Sequence, residues 1–184
     1  MKFTRLTIPD IVSIEPHAHE DGRGFFLESY HAGEFEREGI PTRFVQDNHS
    51  GSKQGVLRGL HFQLRRPQGK LVKVVVGEVY DVAVDLRRSS PTVGHYVAQT
   101  LSAKNRRQLW IPPGFAHGFY SLSDWSEVLY KVTEFYQLEL DRTLRWDDPD
   151  VGIDWPLIHG KPPILSSQDS RGAGLRECET YENG

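Results

Sequence analysis

Residues 55–77, GVLRGLHFQLRRPQGKLVKVVVG, hold the densest set of side chains able to move protons. One histidine, His61, stands among two cations, Arg58 and Lys70, and an amide, Gln63. Histidine changes charge near neutrality and so suits a general base. A buried ammonium suits an oxygen on which negative charge develops. Residues 70–76 divide by the period of a strand, with Lys70, Val72, Val74 and Val76 on one face and Leu71, Lys73 and Val75 on the other. Burying four polar groups on such strands costs desolvation free energy that a function would explain. His61 therefore reads either as a satisfied strand histidine or as a base. Arg58 and His61 are three positions apart and would face opposite ways on a regular strand. Sharing one cavity requires a bulge or strong twist at Gly59.

Other residues admit two readings each. In SEVLYKVTEFYQ, residues 126–137, Tyr130, Val132, Glu134 and Tyr136 fall on one strand face. Either the face packs a core or one of its phenols enters the barrel as a proton donor. His117, in PPGFAHGF, reads as a hydrogen-bonding or ligand-contacting group. Arg23 lies between two glycines and precedes Phe25 and Phe26. A guanidinium fork with an aromatic face can hold a phosphate and a base, or simply decorate a surface. Asp169, in Ser166-Ser167-Gln168-Asp169, reads as a loop residue or the start of a helix.

The elements that must position these groups are mostly strands. Two short ones are expected in 3–16, split by Pro9-Asp10, and another at 25–30 after the Asp21–Gly24 turn. Residues 32–39 suit a short helix ending at Gly39, and 44–48 a strand. Residues 49–54 are polar and read as a loop. Further strands are expected at 79–86, 95–101, 107–111, 117–122 and 126–137, with loops at 87–94 and Pro112–Gly114. Many strands with little helix between them indicate an antiparallel sandwich or barrel. One domain over 1–184 is the economical division: N-terminal strands about 3–30, a barrel about 44–138, and a Pro-, Asp- and Trp-rich tail about 139–184 wrapping its surface.

Composition sets the limits. A net charge of −3 over 184 residues gives no electrostatic footprint for nucleic acid. The single cysteine, Cys178, excludes an internal disulfide framework and suits a reducing compartment. No apolar run approaches a membrane span, and the N-terminus lacks a signal-peptide core, so a cytoplasmic protein without a membrane partner is expected.

The stretch around His61 resembles the first motif of the cupin β-barrels: glycine, a histidine pair, a glutamate, then glycine. Here the pair reads His61-Phe62-Gln63, and Lys70 stands near the place of the acid. A protonated lysine repels a metal ion and offers it no lone pair, so no metal is expected and proton chemistry is. More widely, DGRGFFLESY, FVQDNHS, GVLRGLHFQ, PQGKLVKVVVGEVYDVAVDLRRSSPTVG, IPPGFAHGF, LYKVTEFY and RWDDPDVGIDWP together resemble the dTDP-4-dehydrorhamnose 3,5-epimerases, over about residues 3–170. The resemblance implies a mainly β, cupin-type jelly-roll barrel with a few short helices, a homodimer, and no cofactor. It implies inversion at C3 and C5 of a dTDP-linked 4-keto-6-deoxyhexose. It makes His61 the base, Tyr130 the acid, Asp169 the partner of His61, and Lys70 the group at the sugar carbonyl. Arg23, Phe26, Glu28, Gln46, Asp47, Asn48, Arg58 and His117 fall at nucleotide- and sugar-contacting positions. The chain departs from the family pattern at Asp141, where glutamate is usual, and at Gln168, where a substrate-binding lysine is usual.

Overall fold

A computed structural model describes residues 1–181. The strands in chain order are β1 (Lys2–Arg5), β2 (Val12–Glu15), β3 (Ala18–Asp21), β4 (Gly24–Leu27), β5 (Gln46–Lys53), β6 (Leu57–Gln63) and β7 (Lys70–Val76). There follow β8 (Glu78–Asp85), β9 (Tyr96–Ser102), β10 (Gln108–Ile111), β11 (Phe115–Ser121), β12 (Trp125–Val132) and β13 (Asp141–Thr143). One α-helix, α1 (Ala32–Arg37), and three single-turn 3₁₀ segments complete the list among the described residues. A six-stranded sheet runs β1-β2-β10-β7-β12-β5, a five-stranded sheet runs β13-β6-β11-β8-β9, and β3-β4 form a separate hairpin. Every paired strand is antiparallel. This is the mainly β, jelly-roll architecture expected from the sequence.

The two large sheets face each other, and alternation divides their side chains. Val72, Val74, Val79, Ala83, Val97, Leu101, Leu109, Phe119 and Val128 point inward and form an apolar plug. The outer face of the five-stranded sheet buries Leu57, Leu60, Phe62, Val82, Val84 and Leu86 under the tail, through Val151, Trp155, Cys178 and Tyr181. Parallel bridges Val56–Ile164, Leu144–Ala173 and Arg87–Tyr181 stitch that tail down. On the outer face of the six-stranded sheet, Phe35 of α1 packs with Val12, Ile14, Leu71 and Trp110. His31 caps α1 by accepting the Glu34 N–H, and Gly39 follows the helix at φ +74°.

Several boundaries differ from the sequence expectation. Residues 49–54 are not a loop, because β5 continues to Lys53. Its inward residues Asn48 and Ser50 line a polar cleft, so the strand lacks the apolar alternation that marks most strands. The strand expected over 126–137 stops at Val132. Beyond it, side chains take over the backbone groups: Thr133 accepts the Gly69 N–H, Glu134 accepts the Phe135 N–H, and Gln63 binds Phe135 O and the Gln137 N–H. The strand expected at 25–30 is the four-residue β4, hairpinned to the unforeseen β3. The Ser166–Asp169 segment begins only a 3₁₀ turn, Asp169–Arg171.

Candidate active site

Apolar side chains fill one part of the space between the sheets. Another part is a polar cleft of about 320 Å3. From the five-stranded sheet it receives Arg58 and His61 of β6 and His117 of β11; from the six-stranded sheet it receives Gln46, Asn48 and Ser50 of β5, Lys70 of β7 and Tyr130 of β12. Tyr136 and Asp141 stand at its margin, and both line it.

Arg58 and His61 reach the same cleft because β6 is irregular. Opposite β11, His61 pairs with His117 and Arg58 with Phe119, so Gly59 and Leu60 together oppose Gly118. Leu57, Leu60 and Phe62 consequently turn to the outer core. Gly59 adopts φ +124°, and a Cβ there would lie 2.5 Å from the Gly118 Cα. Only glycine fits both the conformation and the space.

His61 Nε2 lies 2.6 Å from Asp169 Oδ1. Asp169 is almost fully buried, and its carboxylate also accepts the Ser166 hydroxyl at 2.7 Å and the Gly59 N–H at 3.3 Å. Burial pushes the Asp169 pKa up, but these donors outweigh it and hold the carboxyl below its ordinary value. An ionised Asp169 fixes the Nε2–H tautomer and leaves the His61 Nδ1 lone pair for a ligand. The side chain of His61 remains about a third exposed, so a ligand can approach it.

Lys70 is buried and donates to the His61 carbonyl at 3.1 Å. Burial lowers its pKa to about 8, against the opposing pull of Asp141 and Asp81. His117, also buried, contacts both oxygens of the fully buried Asp81 at 3.0 and 2.9 Å. Burial drives the His117 pKa down, and Asp81 works the other way. Tyr130 faces the base from the opposite sheet, with no protein partner for its hydroxyl among the described residues. Burial raises its pKa and keeps the phenol protonated; Arg58 opposes this and Asp141 adds to it.

The cleft thus brings together a carboxylate-held imidazole, a protonated phenol on the facing wall, and an ammonium from the phenol's own sheet. A family profile described as dTDP-4-dehydrorhamnose 3,5-epimerase matches residues 5–177. The chain belongs to the dTDP-4-dehydrorhamnose 3,5-epimerase family. A relative of that name from Pseudomonas aeruginosa is 54% identical over 182 residues, covering 98% of this chain and 99% of its own. One from Methanothermobacter thermautotrophicus is 49% identical over 180 residues, covering 98% and 97%. Among solved structures, a dTDP-6-deoxy-D-glucose-3,5-epimerase from Legionella pneumophila, in complex with dTDP-4-keto-L-rhamnose, superposes with a TM-score of 0.95 at 45% identity, covering 100% of this chain and 98% of its own. A 3'-monoepimerase from Streptomyces bikiniensis, in complex with dTDP-quinovose, is more distant: TM-score 0.87, 31% identity, coverage 94% and 87%.

Four residues that the resemblance places at substrate do not line the cleft of this epimerase-family chain. Asp47 faces outward on β5 and pairs with Lys131 at 2.9 Å, because alternation sends it to the opposite side from Gln46 and Asn48. Arg23, Phe26 and Glu28 belong to the β3-β4 hairpin and the residue after it, all exposed. Arg23 forks onto Asp21 at 2.6 Å, and Phe25 lies under the Arg106 guanidinium at 4.2 Å. Gln63 does not reach the cleft either, since its amide is spent on the backbone after β12. Gln168 is exposed and donates to Asp141 at 2.9 Å. Asp81 was missed, while Tyr136 and Ser166 were named without a place at the site. Asp81 sits in the apolar run of β8, where an acid between Tyr80 and Val82 was itself the available signal. Tyr136 reaches the margin through a turn that no strand periodicity encodes.

Proposed function

We propose that this chain inverts C3 and C5 of a dTDP-linked 4-keto-6-deoxyhexose through an enolate. The observation that carries the reading is the placement of His61 and Tyr130 on facing walls of one cleft that Lys70 also lines. The 4-ketone acidifies the hydrogens on both neighbouring carbons. His61 Nδ1 takes the proton from C3, the electron pair moves onto the C4 oxygen, and the Lys70 ammonium stabilises the enolate. Tyr130 returns a proton to the other face of the carbon, and the resulting phenolate and imidazolium exchange their proton with solvent. The same sequence then operates at C5. Asp169 holds the imidazole in register and stabilises its cation. Arg58, Gln46 and Asn48 line the cleft beside these groups and orient the substrate, His117 contacts the sugar, and no cofactor is needed.

The chain acts as one jelly-roll unit and as a homodimer. Arg23, Phe26 and Glu28 serve the nucleotide from the exposed hairpin, which suits delivery into the cleft of a second copy. Among the described residues no helix is long and apolar enough to cross a membrane. With a buried, unpaired Cys178 and a nucleotide-sugar substrate, the cytoplasm is the compartment we assign.

The test is incubation with the 4-keto nucleotide sugar in deuterated water. Wild type incorporates deuterium at C3 and C5, and His61→Ala at neither. Tyr130→Phe loses at least one inversion. Absence of exchange in wild type, or full exchange in His61→Ala, removes the reading. Exchange at one carbon only would make the chain a monoepimerase.

A further inference from the structure

We infer that Gln168 is a positioning residue: it ties the tail segment that carries Asp169 to Asp141 at the margin of the cleft, and, being uncharged, leaves the Asp141 carboxylate to act on the cleft's ammonium and phenols. The inference rests on the reading of His61 as base.

The tether is geometric. Gln168 Nε2 donates to Asp141 Oδ2 at 2.9 Å and to Thr143 Oγ1 at 3.2 Å. Both acceptors lie on β13, which pairs with β6 so that Thr143 stands opposite His61. The next residue, Asp169, holds His61 itself. Two consecutive tail residues therefore grip two neighbouring strands, which fixes the direction of the Asp169 carboxylate as one attachment would not. Asp141 Oδ2 also accepts the Tyr136 hydroxyl at 3.0 Å, so the same oxygen joins tail, strand and cleft margin.

The charge argument follows from the partners of Asp141. Among the described residues, both hydrogen-bond partners of its carboxylate are neutral donors, Gln168 and Tyr136. Facing it across the cleft are Lys70 from β7 and Tyr130 from β12. On its own sheet stand Arg58 and His61 of the neighbouring β6 and the His117–Asp81 pair of β11 and β8, with Glu139 near Tyr136. Its negative charge favours the protonated forms of Lys70 and Tyr130 and, after burial, contributes to a Tyr136 pKa of about 12. These are the forms an acid and an oxyanion-stabilising cation must keep. A lysine at 168 would preserve the tether and cancel the charge.

Gln168→Ala, Gln168→Asn and Gln168→Lys separate the two roles. In the free protein, the downfield proton resonance of the His61–Asp169 hydrogen bond should broaden or disappear in the first two variants and return in Gln168→Lys. With substrate, Gln168→Ala should lower kcat about tenfold with little change in KM, as expected of a misplaced catalytic group. Gln168→Lys should move the alkaline limb of the pH–kcat profile down by about one unit. An unchanged resonance in Gln168→Ala overturns the tether, and an unmoved alkaline limb in Gln168→Lys overturns the charge role. Should wild type fail to epimerise, the proposed function falls, while the resonance still decides the tether.

Discussion

Among single side chains, Lys70 sets function most directly against stability. Its folded pKa is depressed to about 8 from 10.5, so between those values the unfolded chain binds more protons than the folded one. The sign is therefore unusual: this group's contribution to stability rises as pH climbs from about 8 to 10.5, and at neutral pH it opposes folding by about 3 kcal/mol. Lys70→Met should raise the urea midpoint at pH 7 and flatten that pH dependence, while lowering kcat by roughly 10²–10³ through loss of enolate stabilisation. A midpoint unchanged or lowered at pH 7 would count against a charged, buried Lys70. Asp169 shares that slope, since its folded pKa is also lowered, but at neutral pH it stabilises the fold where Lys70 opposes it. Its carboxyl is held low when folded, so its stabilisation is present above the unfolded carboxyl's pKa and drains away as pH falls through the folded value. Asp169→Asn should cost on the order of 10³–10⁴ in kcat by presenting the wrong tautomer, with deuterium exchange as the readout.

At the scale of elements, the irregular β6 decides whether there is a site at all. Gly59 lets Arg58 and His61 share a face, packs against Gly118, and gives its N–H to Asp169. Gly59→Ala should lower stability by about 3 kcal/mol, measured by urea unfolding, and abolish exchange even under conditions where the variant is folded. Sequence spacing posed the need for a bulge at Gly59 but could not supply it, because the two-against-one pairing depends on β11. Tyr130 was legible from period two, since β12 is regular there. Period two put Tyr136 on the same face, but its place at the margin comes from a turn held by Gln63 after the chain leaves the sheet at Val132. The strand character of 49–53 was hidden for a related reason: a strand facing a polar cleft carries polar side chains on both faces.

For the molecule as a whole, the question is what the β3-β4 hairpin serves. Phe26 is 73% exposed and Phe25 60%, and neither lines the cleft of its own chain. If the hairpin completes a second copy's site, mixing inactive Arg23→Ala with inactive His61→Ala after unfolding and refolding together should restore exchange, because hybrid dimers contain one intact site. Sedimentation should give a dimer for wild type, and Phe26→Asp should weaken it. No recovery in the mixture would place Arg23 and His61 in service of the same chain's site.

The sequence by itself determined the kind of fold and most of the chemical groups. Strand alternation punctuated by turn residues requires facing sheets, and the ordered motifs around His61, His117 and Tyr130 carry the family. Tertiary structure decided which groups meet. Asp169 reaches His61 across 108 positions, Asp81 turns inward to hold His117, Gln168 finds Asp141, and Asp47 faces away. Those outcomes depend on register, on a bulge and on where the tail docks, and each is fixed by packing between segments far apart in the chain, where local pattern carries no information.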